Sequence, residues 1–333
     1  MSFELPAHQE ALRAAVQDGL AEEPPLSGAE LAALRVQLVE GLRPFASTQL
    51  LVDSYRLARV AVCPASRGSQ PFAWTTRVAQ RSLGLRALRA MTPPCRLGVL
   101  DAAESAIDEA IGDDYSVGRW LASQDGPARG ATVGAVATWA SRAWVAVPWG
   151  RIGTVSLMSA ALRFRPFGLG GQVTLEARPD AVIQPGGGRR DDPRQVLLRL
   201  GPASRIAIGL EALVFALVRG VAPTRVVTVQ PSLGLVGSVE VDGPLLSAAV
   251  EGVVDAAPVL AAAPDEAVPL EEAVPLDEVP GPQCWHCSRR HECPTGASWL
   301  RHQSRRIGGI PTGEQGTVAR IARIGATNIA SSG

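Results

Sequence analysis

Three cysteines stand in one short run, Cys284-Trp-His-Cys287-Ser-Arg-Arg-His-Glu-Cys293, and no other feature of the sequence restricts the fold as strongly. Thiolates in a C-x2-C-x5-C pattern wrap one soft metal centre and leave one coordination position to be filled from elsewhere. If His291 or His286, inside the run, fills it, the site is a local zinc knuckle. If a distant cysteine fills it, the site ties two remote parts of the chain to one cluster. Cys63, in Val60-Ala-Val-Cys63-Pro64, is the distant candidate. Cys95, in Thr92-Pro-Pro-Cys95, has no partner motif and reads as a plain thiol.

The rest of the composition removes chemistry. All 32 basic residues are arginine, against 32 acids, in 333 residues. Without lysine there is no Schiff base, no P-loop cation and no lysine general base. A neutral chain also advertises no nucleic-acid partner through bulk charge. Only four histidines are present, two of them inside the cysteine run, so a Ser-His-Asp triad elsewhere lacks its imidazole. Apolar residues at 46% and charged residues at 19% suit a sizeable core. No apolar run reaches the roughly 18 residues of a membrane span, and the opening Met1-Ser-Phe-Glu-Leu-Pro does not resemble a signal peptide. The expectation is a cytoplasmic protein without a membrane partner, in which cysteines are metal ligands or buried thiols rather than disulfides.

Periodicity divides the chain. Residues 1–150 read as a helical region carrying Cys63, with helices over the first 45 residues, over Thr48–Arg59 and over Ala102–Trp144, broken near Gly126-Pro127. Trp120, Trp139 and Trp144 are either a base-stacking platform or core residues. Residues 151–262 change to strands at Val155–Leu162, Gly171–Ala177, Ala181–Gln184, Gln195–Leu200, Arg225–Val229 and Leu235–Val241. Helices at Ser204–Arg219 and Leu245–Ala262 accompany them, which predicts an α/β fold with a mixed sheet flanked by helices. An acidic, proline-rich linker follows at 263–281, where Glu266-Ala-Val-Pro-Leu270 is repeated as Glu272-Ala-Val-Pro-Leu276. The cysteine segment occupies 282–300, and an Arg-rich tail 301–333. From residue 281 onward seven arginines face two acids, 7 − 2 = +5.

One Cys-Pro at a helix end, an α/β core and then C-x2-C-x5-C resembles the iron–sulfur branch of the PD-(D/E)XK nucleases, which includes AddB-type and RecB-like proteins. The resemblance spans about residues 48–296. It implies a [4Fe–4S] cluster held by Cys63, Cys284, Cys287 and Cys293, with zinc, completed by His291, as the alternative. It also implies two carboxylates for Mg²⁺ and a lysine beside the attacking water. Asp180, in Glu176-Ala-Arg-Pro-Asp180, stands at the first acid's place. The next strand should end in (D/E)-x-K but reads Val196-Leu-Leu-Arg199-Leu-Gly201. Glu211 falls where the following helix carries a Gln or Glu, and the family's upstream histidine motif has no counterpart in Ala131–Trp139. Arg199 cannot act as a base, because its pKa stays above about 12 in an ordinary setting.

The expected protein is therefore nuclease-like and catalytically inactive, with Asp180 and Glu211 as vestiges and a metal cluster as a staple. It binds nucleic acid, DNA first, or scaffolds a DNA-processing or defence complex. Arg56, Arg59, Arg67, Arg289, Arg290, Arg301, Arg305 and Arg306 are the candidate phosphate contacts, or else a solvated face balancing the acidic linker. Two alternatives stand: a divergent Mg²⁺-dependent DNA exonuclease, and an interaction protein with a structural zinc or iron–sulfur site that docks through its linker or tail.

Overall fold

In the computed structural model, residues 6–63, 74–92, 95–113, 116–186, 192–261 and 293–306 are described. They fall into two compact units, Met1–Leu57 with Phe72–Ala261, and Ala58–Pro71 with Ala262–Gly333.

The first unit begins with α1 (Ala7–Ala21) and α2 (Gly28–Leu42). A capping box opens α2: the Glu30 amide donates to Ser27 Oγ, and the Glu30 carboxylate accepts from the Ser27 amide at 2.8 Å. Where Thr48–Arg59 reads as helix, the chain instead forms a strand, β1 (Leu50–Asp53), and then α3 (Ser54–Val62). The Asp53 carboxylate makes the switch by accepting from the amides of Tyr55 and Arg56 at 2.9 and 2.8 Å, which satisfies the open donors of the new helix. Helices α4 (Thr76–Met91), α5 (Val99–Gly112), α6 (Ser116–Ala122) and α7 (Gly126–Ala146) form the next layer. Small residues let them approach closely. Ala79, Ala87, Ala102, Ala103, Ala106, Ala110 and Ala140 pack with Leu83, Ile107 and Leu121, and Trp120 lies against this core.

Strands then alternate with helices: β2 (Thr154–Leu157), β3 (Leu162–Phe164), β4 (Val173–Ala177), β5 (Ala181–Gln184), β6 (Val196–Leu200), α8 (Arg205–Arg219), β7 (Arg225–Gln230), β8 (Leu235–Glu240) and α9 (Gly243–Ala261). The expected α/β class is observed, with two mixed sheets where the sequence pointed to one. A three-stranded sheet has the order β1-β4-β3, and a five-stranded sheet the order β2-β5-β6-β7-β8. β6 and β7 run parallel, joined through α8, and their neighbours are antiparallel. β1 runs parallel to β4, Leu50 opposite Val173, so the helical region contributes a strand to the sheet system. The five-stranded sheet buries Ile183, Val196, Leu198, Val227 and Val229 against Leu12 and Val16 of α1 and Leu88, Ala143 and Ala146 of α4 and α7, with Trp139 and Trp144 packed at the margin. Trp139 and Trp144 thus pack as core residues.

α8 is buried from Ala207 to Ala216 without interruption, as a crossover helix enclosed by other elements must be. α9 is long and apolar enough to span a membrane by length and composition. In this fold it packs on α2, α8 and β1 and buries Leu245, Leu246, Val250 and Val253 there. In the second unit, α10 (Pro294–Arg306) is the described helix that follows Cys293.

Candidate functional site

Three carboxylates are buried among the described residues, Glu176, Asp180 and Glu211. Each is closed by arginine. Burying a carboxylate costs several kcal/mol unless a charge partner and hydrogen bonds compensate it, so the identity of the partner defines what the site is able to do.

Asp180 stands where the chain passes from β4 to β5, and it is 2% exposed. Its carboxylate accepts from Arg81 of α4 at 3.0 and 2.7 Å, one bond to each oxygen, across 99 residues of sequence. The Leu200 amide of β6 donates to the same carboxylate at 2.6 Å. The backbone of Asp180 is also committed: its amide donates to Leu198, and its carbonyl accepts from Met158. Asp180 therefore joins α4, the end of β2 and the end of β6.

Glu211 lies inside the buried stretch of α8 and is 0% exposed. Its Oε1 accepts from Arg199 of β6. Arg199 Nε and Glu211 Oε2 are both buried with no hydrogen-bond partner. Burial pushes the Arg199 guanidinium down to about 10, with Arg81 acting in the same sense and Asp180 against it. It remains a cation throughout the neutral range. Arg81, Asp180, Arg199 and Glu211 thus form one cluster of two positive and two negative charges.

Glu176, at the end of β4, is the third. Burial alone would raise its carboxyl, but hydrogen bonds from Arg163 and Arg178 more than offset that and hold it below the ordinary value. Those bonds are 2.8 and 2.7 Å long.

The two acids that the sequence singled out, Asp180 and Glu211, are thus brought into one neighbourhood. Arg199, the residue in place of the acid and lysine, joins them. A divalent cation does not fit this arrangement: both Asp180 oxygens already accept hydrogen bonds, and two guanidinium groups supply the positive charge a metal would supply. Arg81 is the member that sequence reasoning missed. Its helix shows an apolar repeat at Ala79, Leu83 and Ala87, but no local pattern marks a partner so distant in sequence.

The cysteine constellation is partly described. Cys63 caps the end of α3, its amide donating to the Arg59 carbonyl at 3.0 Å, and its side chain is buried at 9% exposure. Cys293 is half-buried and immediately precedes α10. Both belong to the second compact unit although 230 positions separate them. Cys284, Cys287, His286 and His291 lie outside the described residues, as do Arg67, Arg289 and Arg290, and so do the linker repeats. Among the described residues no group of three or more metal-ligating side chains occurs. Cys95 is an exposed free thiol.

Of the candidate phosphate contacts, Arg56 pairs with Asp53 at 3.6 Å, and Arg301 is exposed on α10. α10 contains Arg301, Arg305 and Arg306 and no acid. No known family, curated protein or solved structure matches the chain.

Proposed function

We propose that this chain is a nuclease-like protein without a catalytic centre, stapled by a [4Fe–4S] cluster, and that it binds nucleic acid through arginines around that cluster. The observation that carries this reading is the arginine closure of Asp180 and Glu211. The PD-(D/E)XK resemblance puts the first metal-binding acid at Asp180 and a Gln or Glu near Glu211, and arginines close both carboxylates here. Hydrolysis of a phosphodiester needs a bound water to be deprotonated near neutral pH. An arginine still cationic at neutral pH does not accept that proton.

The placement of Cys63 and Cys293 in one compact unit supports the staple. Cysteine sulfur is the donor that iron–sulfur clusters take, and four thiolates complete their ligand set. Cys293 leads directly into α10, so a metal that fixes this cysteine also fixes the start of a helix bearing three arginines. Arginine grips phosphate with paired N–H donors and needs no lysine beside it.

Fluorescence anisotropy of labelled single-stranded and duplex DNA with the full chain tests the function. Binding is expected to weaken steeply with salt, because each phosphate contact releases counterions. No cleavage is expected with Mg²⁺ or Mn²⁺. Salt-independent or absent binding contradicts the nucleic-acid reading and favours an interaction protein. Metal-dependent cleavage abolished by Asp180→Asn contradicts the inactive centre.

A further inference from the structure

Arg81 and Arg89 sit two turns apart on α4, and both reach out of the helical layer to one spot on the five-stranded sheet. Arg81 grips the Asp180 carboxylate. Arg89 donates to the Met158 carbonyl at 2.8 Å. Those two targets are themselves bonded, since the Met158 amide donates to the Asp180 carbonyl at 2.9 Å. One helix thus holds the end of β2 and the start of β5 at two points on a single hydrogen-bonded junction.

Arg86, between them, does something different: it pairs with Asp113 after α5, inside the helical layer. The two reaching arginines are therefore not simply what a basic helix does with its side chains. The burial is also asymmetric. Asp180 is 2% exposed while the Arg81 side chain is 35% exposed, so the arginine is the lid and the carboxylate is what it covers. The apolar contacts of α4 with the sheet core lie toward its C-terminal half, at Leu85 and Leu88. Its N-terminal half packs Ala79 and Leu83 into the helical layer instead. At Arg81 the ion pair to Asp180 joins the helical layer to the sheet.

We infer that Arg81 and Arg89 form a two-point latch that closes α4 over the β2–β5 junction, and that releasing Arg81 opens this corner locally and turns the Asp180 carboxylate to solvent. The latch does not rest on the nuclease-like reading, since it follows from the contacts of α4 alone.

Hydrogen exchange by mass spectrometry on the full chain tests it with Arg81→Gln, Arg89→Gln and Arg86→Gln. Removing one partner of a buried pair is expected to raise exchange over Thr76–Leu83 and Ala181–Gln184 about a hundredfold in Arg81→Gln. Arg89→Gln is expected to give a smaller rise at the same places, and Arg86→Gln none at Ala181–Gln184. Exchange in β7, β8 and α9 is expected to stay unchanged. Should Arg81→Gln fail to fold, Arg81→Lys keeps the charge on a shorter side chain, and the same local rise is expected from it at lower amplitude. Unchanged exchange in these variants overturns the latch. So does an equal rise across β7, β8 and α9, which would mean general loosening.

Discussion

Replacing Arg199 by leucine is expected to destabilise the protein by about 3–5 kcal/mol, because it leaves the Glu211 carboxylate buried and uncompensated. In a domain of this size that corresponds to a fall in melting temperature of roughly 10 °C. Glu211→Leu is expected to cost less. The stranded charge is then Arg199, whose side chain is 14% exposed and whose long stem can carry the guanidinium toward water. The double replacement Arg199→Leu/Glu211→Leu is expected to come close to the parent or exceed it. The pair already leaves Arg199 Nε and Glu211 Oε2 without partners, and a buried pair with unmet hydrogen bonds is often matched by apolar side chains of similar volume. Calorimetric melting of the three variants checks this. A double variant as damaged as Arg199→Leu would mean the pair stabilises the fold beyond mutual neutralisation.

The second large effect concerns metal. If the proposed cluster is present, Cys63→Ser is expected to lose it as completely as Cys287→Ser, since a three-thiolate site is left open in either case. The substitution is nearly isosteric, so a Cys63 that is merely a buried thiol would lose only a modest amount of stability and keep full metal content. Metal analysis of both purified variants decides between these outcomes. Retention of metal in Cys63→Ser, with loss in Cys287→Ser, would assign the fourth position to a residue of the local run such as His291.

Much of the sheet region was legible in the sequence because its signals are local. Ala181–Ile183 is an apolar, buried run that leads to Pro185 and Gly186, and Ser204 announces α8 through a side-chain cap to Ala207. β1 was not legible. Leu50–Asp53 is short, and only pairing with β4 selects strand over the helix its flanks suggest. Helix α4 went unassigned for a related reason: its four arginines weaken the apolar rhythm, and tertiary packing on α5 and α7 supplies the stability. The same limit applies to the site. Asp180, Arg199 and Glu211 could be found from residue type and element order. Their locking could not, because Arg81 is brought to Asp180 by the fold and not by spacing.

The central proposal is a metal staple in a protein whose buried Asp180 and Glu211 are closed by arginines. The most direct test is the iron and zinc content, with the visible spectrum, of the full chain purified without oxygen. On that proposal the full chain is brown and carries about four irons, the content of one [4Fe–4S] cluster. A colourless protein carrying about one zinc, as a closed tetrahedral site holds, or no metal at all, would contradict it.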